Sequence, residues 1–245
     1  GSIDHCIRKA VSLGLNNIDA IIMATLNACE IYGMKNKGAI APSYVADIVV
    51  ADDLNLSSIS QVYKNGKLVC ENGKALFECE TVDNSKVTNT VHLPKISADF
   101  FKTDVKDKFD AIELIPESII TKKVTVSYSD SLSKVCVIER HHNLGTKGIG
   151  FVTNYGITNG AIATSIGHDS HNVIVIGDND SDMALAVNTL GTSGGIAVCS
   201  EGKVIASMTL DIAGLMSVKS ADEVTREHDN LYSAAKVLNI TDKID

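Results

Sequence analysis

The sequence predicts an α+β fold with mostly antiparallel sheet, and three observations predict it. Apolar residues recur at helical spacing near the start, at Ile3, Ile7, Ala10 and Val11, and a Ser220-Ala221-Asp222-Glu223 capping box opens a last helix. Between them lie many short β-branched runs, some joined by two-residue turns of the kind that link antiparallel strands. The 245 residues are 44% hydrophobic but only 4% aromatic, with no Trp, so the expected core is Ile, Val, Leu and Ala. A chain of this length buries about 70% of its unfolded surface when compact, which is enough for a core without metals or disulfides.

The first helix runs from Ile3 to Gly14, where Leu13-Gly14 supplies a left-handed stop. Asn16 and Asn17 offer N-caps for a second over Ile18 to Thr25, and Asn27-Ala28-Cys29-Glu30 is a variant capping box for a third. Each carries an apolar stripe with no partner upstream. From Gly38-Ala39-Ile40-Ala41-Pro42 the period changes, and Ala46 to Ala51 reads as a strand. Gln61 to Lys64 and Lys67 to Cys70 flank Asn65-Gly66, a pair suited to a type I′ hairpin because both positions take positive φ. Val82 to Thr90 is polar and patternless, and Pro94 follows, so a domain junction is expected around 80–95.

The remainder mixes strands and helices. Strands are expected at Val124 to Tyr128, Val135 to Ile138, Ile149 to Thr153, Ala161 to Ile166 and Val173 to Ile176, with a helix over Met183 to Leu190 closed by Gly191. Gly195 to Cys199 and Lys203 to Met208 form a second hairpin around Glu201-Gly202, and the last helix runs to about Leu238.

Composition narrows function. The charge balance is −8 and no run of Lys and Arg makes a phosphate-binding stripe, which argues against nucleic acid. No apolar stretch approaches the roughly 20 residues that span a bilayer. Six scattered cysteines without a C-x-x-C pair read as reduced thiols, the usage of a cytoplasmic protein. The chain opens Gly1-Ser2-Ile3 without Met and falls directly into helical spacing, so the expectation is a part of something longer.

Two sets of residues carry a resemblance. Met23-Ala24-Thr25-Leu26-Asn27, then Gly38 to Pro42 and Ala46-Asp47-Ile48-Val49-Val50, resembles the tail of an amidohydrolase, where the last barrel helices return the chain to a small β-sandwich. Glu139-Arg140-His141, Gly148-Ile149-Gly150-Phe151-Val152 and His168-Asp169-Ser170-His171-Asn172, continuing into Asp182 to Asn188, resemble the C-terminal domain of the bacterial adenine deaminases. The resemblance implies barrel helices at 1–37, a sandwich portion at 38–85 and the C-terminal domain at 86–245. It also implies adenine as substrate, hydrolysed to hypoxanthine and ammonia in purine salvage by a water that a divalent cation, manganese or iron, activates. Amidohydrolases draw metal ligands from an H-x-H pair, and this sequence has none: His141 and His142 are adjacent, while His168 and His171 are three apart. The family's ligands would therefore lie before Gly1, so the chain is expected to ligate no metal and to be inactive alone. Its partners would be the missing barrel and, further, a second copy in a homo-oligomer.

Within the chain, His168-Asp169-Ser170-His171-Asn172 sits between two apolar strand runs, where a dense polar insert is costly unless paired or facing a pocket. His168, Asp169 and His171 are the candidate catalytic residues, as imidazoles that move a proton near neutrality and a carboxylate that fixes a tautomer. The plainer reading is a turn that closes its own backbone. Glu139 and His141 share a face by the strand period and are candidate substrate-binding residues, against the alternative of a surface ion pair between Glu139 and Arg140. Asp178-Asn179-Asp180-Ser181-Asp182 starts like a calcium loop but has Met183 at the sixth position and Thr189 at the twelfth, so an acidic helix start explains it. Gly145 to Gly150 matches no phosphate-binding pattern and reads as a tight loop. Asp4-His5 is ordinary helix-start electrostatics. Two further readings stay open: a non-catalytic interaction or assembly module, and an independent small-molecule hydrolase using the His168/His171 loop.

Overall fold

The computed structural model describes residues 2–80, 82–104, 107–128 and 132–240. The chain divides into two compact units, residues 1–82 and 83–245. The expected α+β character with mostly antiparallel sheet is what the structure has.

In the first unit, α1 spans Ile3–Ser12 and α2 Asn17–Ile22. Asn16 caps α2, its side chain accepting from Ile18 N and Asp19 N. The expected third N-cap does not form. Asn27 has helical backbone angles and no capping bond, because α2 passes through a π-helical stretch, Met23–Asn27, straight into α3, Ala28–Ile31. An antiparallel meander follows: β1 (Ile48–Ala51), β2 (Ile59–Lys64), β3 (Lys67–Glu71) and the short β4 (Lys74–Ala75). Asn65 and Gly66 take φ of 50° and 76° at the β2–β3 turn, as a type I′ hairpin requires. Asp47 braces that turn, accepting from Asn65 N at 2.9 Å and pairing with Lys37 and Lys64. These partners, Lys37 foremost, hold its carboxyl well below the usual range.

The second unit is an eight-stranded sheet with a helix on each face. Its strands are β5 (Phe109–Leu114), β6 (Thr121–Val126), β7 (Ser133–Ile138), β8 (Lys147–Thr153), β9 (Gly160–Thr164), β10 (Val173–Gly177), β11 (Gly195–Ser200) and β12 (Lys203–Thr209). The order is β12-β11-β9-β10-β7-β8-β5-β6, with β5 and β8 parallel and every other neighbouring pair antiparallel. Helix α4 (Asp180–Thr189) lies between β10 and β11 in sequence, and α5 (Ala221–Val237) closes the unit.

Period-two alternation assigns the faces. Ala161, Ala163, Val173, Val175, Ala197 and Cys199 are buried under α4, which adds Met183, Ala186 and Val187. Val198 and Met208 point the other way, to Leu231, Ala234 and Leu238 at α5. The small alanines under α4 let helix and sheet approach closely, and Asn188 of α4 exchanges two hydrogen bonds with the backbone of Ile96, pinning the entry segment over that core.

Several expected boundaries shift. The helix expected from Met183 starts at Asp180, since Asn179 accepts from Asp182 N as N-cap. The strand expected over Val124 to Tyr128 ends at Val126, and Gly148 and Gly150 belong to β8 rather than to a loop. Its partner β5 carried no expectation.

Candidate functional site

One rim of the eight-stranded sheet gathers the candidate residues. There β7, β9 and β12 finish while β10 and β11 begin, so antiparallel order alone brings together the loops after Ile138, Thr164 and Thr209. The β7 loop carries Glu139, His141 and His142, and the β9–β10 loop carries His168, Asp169 and His171. The two meet: His141 Nε2 lies 2.9 Å from Ser170 O. A carbonyl only accepts, so Nε2 carries the proton and Nδ1 of the neutral ring is the free acceptor.

Glu139 builds its own loop. Its carboxylate accepts from the backbone of His141 at 2.6 Å, His142 at 2.8 Å and Leu144 at 3.0 Å. These donors, Leu144 first, hold the carboxyl below its ordinary value. The alternative ion pair with Arg140 is absent, because Arg140 points the other way. It is 2% exposed and lies on the inward face with Cys136 and Ile138.

Arg140 is the hub of the rim. Nε donates to His171 O at 2.5 Å, Nη2 to Ala213 O at 2.8 Å and Nη1 to Thr90 Oγ1 at 3.2 Å. Its own carbonyl accepts from His92 N at 2.8 Å. These partners are carbonyl and hydroxyl oxygens, and burial presses the guanidinium pKa downward. Gly214 leaves room for the guanidinium, since a Cβ there would come within 2.7 Å of Nη1. Ser165, also buried, accepts from Gly195 N at 2.8 Å and donates to Gly214 O, tying β9, β11 and the loop after β12 together.

The β9–β10 loop is tightly turned. Asp169 and His171 have φ of 66° and 50°, and Gly167 N-terminal to them passes so close to Asn172 O that a Cβ would sit 2.7 Å away. At its tip His168 Nδ1 and Asp169 Oδ1 pair at 3.1 Å with side chains 94% and 89% exposed, an arrangement worth little to stability. Inward, His171 Nδ1 and Asn172 Oδ1 are buried without a hydrogen-bond partner among the described residues. An orphaned buried polar atom costs about 1–3 kcal/mol. The plainer reading, a turn satisfied by its own backbone, therefore accounts for only part of the loop.

Sequence reasoning missed Arg140 as a buried group. The signal was present: Cys136, Ile138 and Arg140 share one strand face. It also missed Asp182, which is 3% exposed. Its carboxylate accepts from Gly202 N at 2.8 Å and Glu201 N at 3.1 Å, gripping the β11–β12 turn. The acidic run before α4 is thus a set of turn clamps, with Asp178 accepting from Asn159 and Gly160 and Asp180 pairing with Lys134. Among the described residues, no group of three or more His, Cys, Asp and Glu side chains is placed to hold a metal ion.

Comparison with known proteins follows the two-unit division. Residues 1–70 match the amidohydrolase family, which sets the class of hydrolase the first unit resembles. Residues 113–244 match the adenine deaminase C-terminal domain, and the chain belongs to that family. It is 41% identical over 254 aligned residues to an adenine deaminase of Clostridium acetobutylicum, covering 98% of this chain and 44% of that protein. An adenine deaminase of Halalkalibacterium halodurans is 39% identical, over 97% of this chain and 43% of its own length. Adenine deaminase 2 of Carboxydothermus hydrogenoformans is 38% identical, over 100% and 45%. The chain thus spans less than half the length of these relatives.

Proposed function

We propose that this chain serves as the C-terminal part of an adenine deaminase, which hydrolyses adenine to hypoxanthine and ammonia in cytoplasmic purine salvage. The observation that carries the reading is similarity to adenine deaminases along essentially the whole chain. No helix among the described residues is long and apolar enough to cross a membrane.

The family's reaction uses a divalent cation, manganese or iron, to supply hydroxide near neutrality. The residues described here do not fit that ion, because among them no group of three or more His, Cys, Asp and Glu side chains converges to hold one. The barrel of the full-length enzyme would hold it. This chain's own part is to present the β9–β10 loop to the purine. His168 and His171 accept or return a proton, Asp169 orients His168, and Glu139 and His141 hold the neighbouring loop in register. The unpartnered His171 Nδ1 and Asn172 Oδ1 support a loop whose hydrogen bonds are completed by something outside the chain.

The test is adenine turnover. The purified 245-residue chain, supplied with Mn²⁺ or Fe²⁺, is expected to show none. In a full-length enzyme carrying this sequence, His168→Ala or Asp169→Asn is expected to lower kcat on the order of 100-fold, the range of a lost proton-transfer group. Unchanged kcat and KM would remove the loop from the site.

A further inference from the structure

Asn-Gly occurs three times, at 65–66, 72–73 and 159–160, and the fold treats the three pairs differently. In two of them the glycine amide is committed. Gly66 N donates to Ala46 O at 2.8 Å and Asn65 N to Asp47 at 2.9 Å, in a turn between strands of six and five residues. Asp178 takes both amides of the 159–160 pair, Asn159 N at 2.5 Å and Gly160 N at 2.9 Å, and Gly160 is buried in β9. The pair at 72–73 has no such brace. Asn72 N donates to Ser60 O at 2.8 Å, but Gly73 N and the Asn72 side chain have no hydrogen-bond partner among the described residues, and both residues are exposed. Their turn closes onto β4, a strand of only two residues, so it opens at the least cost of the three.

We infer that Asn72-Gly73 is a site of spontaneous modification, where the chain converts its own asparagine to aspartate and isoaspartate with water as the co-reactant. Gly73 N, on losing its proton to hydroxide, attacks Asn72 Cγ: the N–Cγ bond forms, the Cγ–Nδ2 bond breaks and the side-chain nitrogen leaves as ammonia. Water then opens the resulting cyclic imide. Cleavage of the new N–Cγ bond gives aspartate, and cleavage of the original peptide bond gives isoaspartate. An amide that donates to an oxygen is held in its protonated form, which protects Gly66 and Gly160 and leaves Gly73 reactive. Glycine also brings no Cβ to obstruct the attack. Isoaspartate carries an extra methylene in the main chain, which a two-residue turn with φ of 49° and 76° does not accommodate. Conversion therefore breaks the pairing of Cys70 with Ala75 and of Glu71 with Lys74, and the bond from Leu76 N to Val69 O.

Incubating the 245-residue chain in mildly alkaline heavy-oxygen water, with peptide mass spectrometry after digestion in ordinary water, reads each pair separately. Asn72 is expected to take up solvent oxygen on the order of tenfold faster than Asn65 or Asn159, as for a turn that opens without its neighbours. Part of its product is expected to be a substrate for an isoaspartyl methyltransferase. In urea, where the braces are gone, the three pairs are expected to react at similar rates. Hydrogen exchange supplies a second readout: Leu76 N is expected to lose its protection in the isoaspartyl form and to keep it in the variant Asn72→Asp, which has the new carboxylate on the original backbone. Conversion at Asn65 or Asn159 as fast as at Asn72 overturns the proposal, as does reaction in urea with none at Asn72 in the folded chain. The same ranking of the three pairs in urea assigns the difference to sequence rather than fold and overturns it too. Leu76 protection that survives in the isoaspartyl form overturns the release of β4.

Discussion

Single carboxylates decide local order in the second unit, and Asp182 is the plainest case. Both its oxygens accept N–H groups of the β11–β12 turn, and Asn179 Nδ2 adds a third donor at 2.9 Å. Asp182→Asn would turn an amide NH₂ toward those donors, with an expected loss of about 1.5–3 kcal/mol. Urea melting measures the loss, and hydrogen exchange should place it at Glu201 and Gly202. Glu139 provides the pH counterpart. Its folded pKa is depressed by backbone donors, so its stabilisation is present above the unfolded pKa and disappears as pH falls through the folded value. Glu139→Gln should weaken amide protection at His141, His142 and Leu144 at neutral pH, and the difference from the parent should close below the ordinary glutamate range. A difference that persisted in acid would show that charge is not the cause.

At the scale of elements, legibility followed how local the determinants are. The Asn65-Gly66 and Glu201-Gly202 hairpins were readable because two residues set each turn, with φ of 51° and 74° at the second. The last helix was readable because Ser220 and Glu223 cap each other across three residues. Ser220→Ala should lower the stability of α5 by about 1 kcal/mol, measurable as a shift in the thermal midpoint. The π-helical stretch had no such signal, since Asn27 suits a cap and only continuity with Ile22 overrides it. Nor did β5, whose Phe-Asp-Ala-Ile-Glu-Leu sequence buries one face against strands far along the chain. For the candidate site, the sequence showed which residues are polar between apolar runs. It could not show that two loops meet at 2.9 Å, because that follows from strand order.

Across the whole molecule the two units differ in what they bury. The second has a core on each face of its sheet. In the first, Ile7 and Ala20 are the buried apolar residues among those described, while Leu13, Ile31, Tyr32 and Ile40 are largely exposed. Limited proteolysis should therefore cut between about residues 76 and 90 and leave a resistant C-terminal product with the sheet intact. The N-terminal product should be degraded, because so little apolar burial cannot offset chain entropy. A resistant N-terminal product would show that the first unit folds alone.

The lone parallel pair carries one more implication, for the order of assembly. Strands β5 and β6 can zip together as soon as both exist, but the strand that holds them to the sheet is β8, met through Ile112↔Val152 and Glu113↔Thr153. The hairpin must wait for its anchor, with Ile119 and Ile120 uncovered at its tip. Long loops close slowly and reward late. Because β5 and β6 lie at one end of the sheet, a change that weakens those two pairs is expected to free the hairpin while β7 to β12 stay folded.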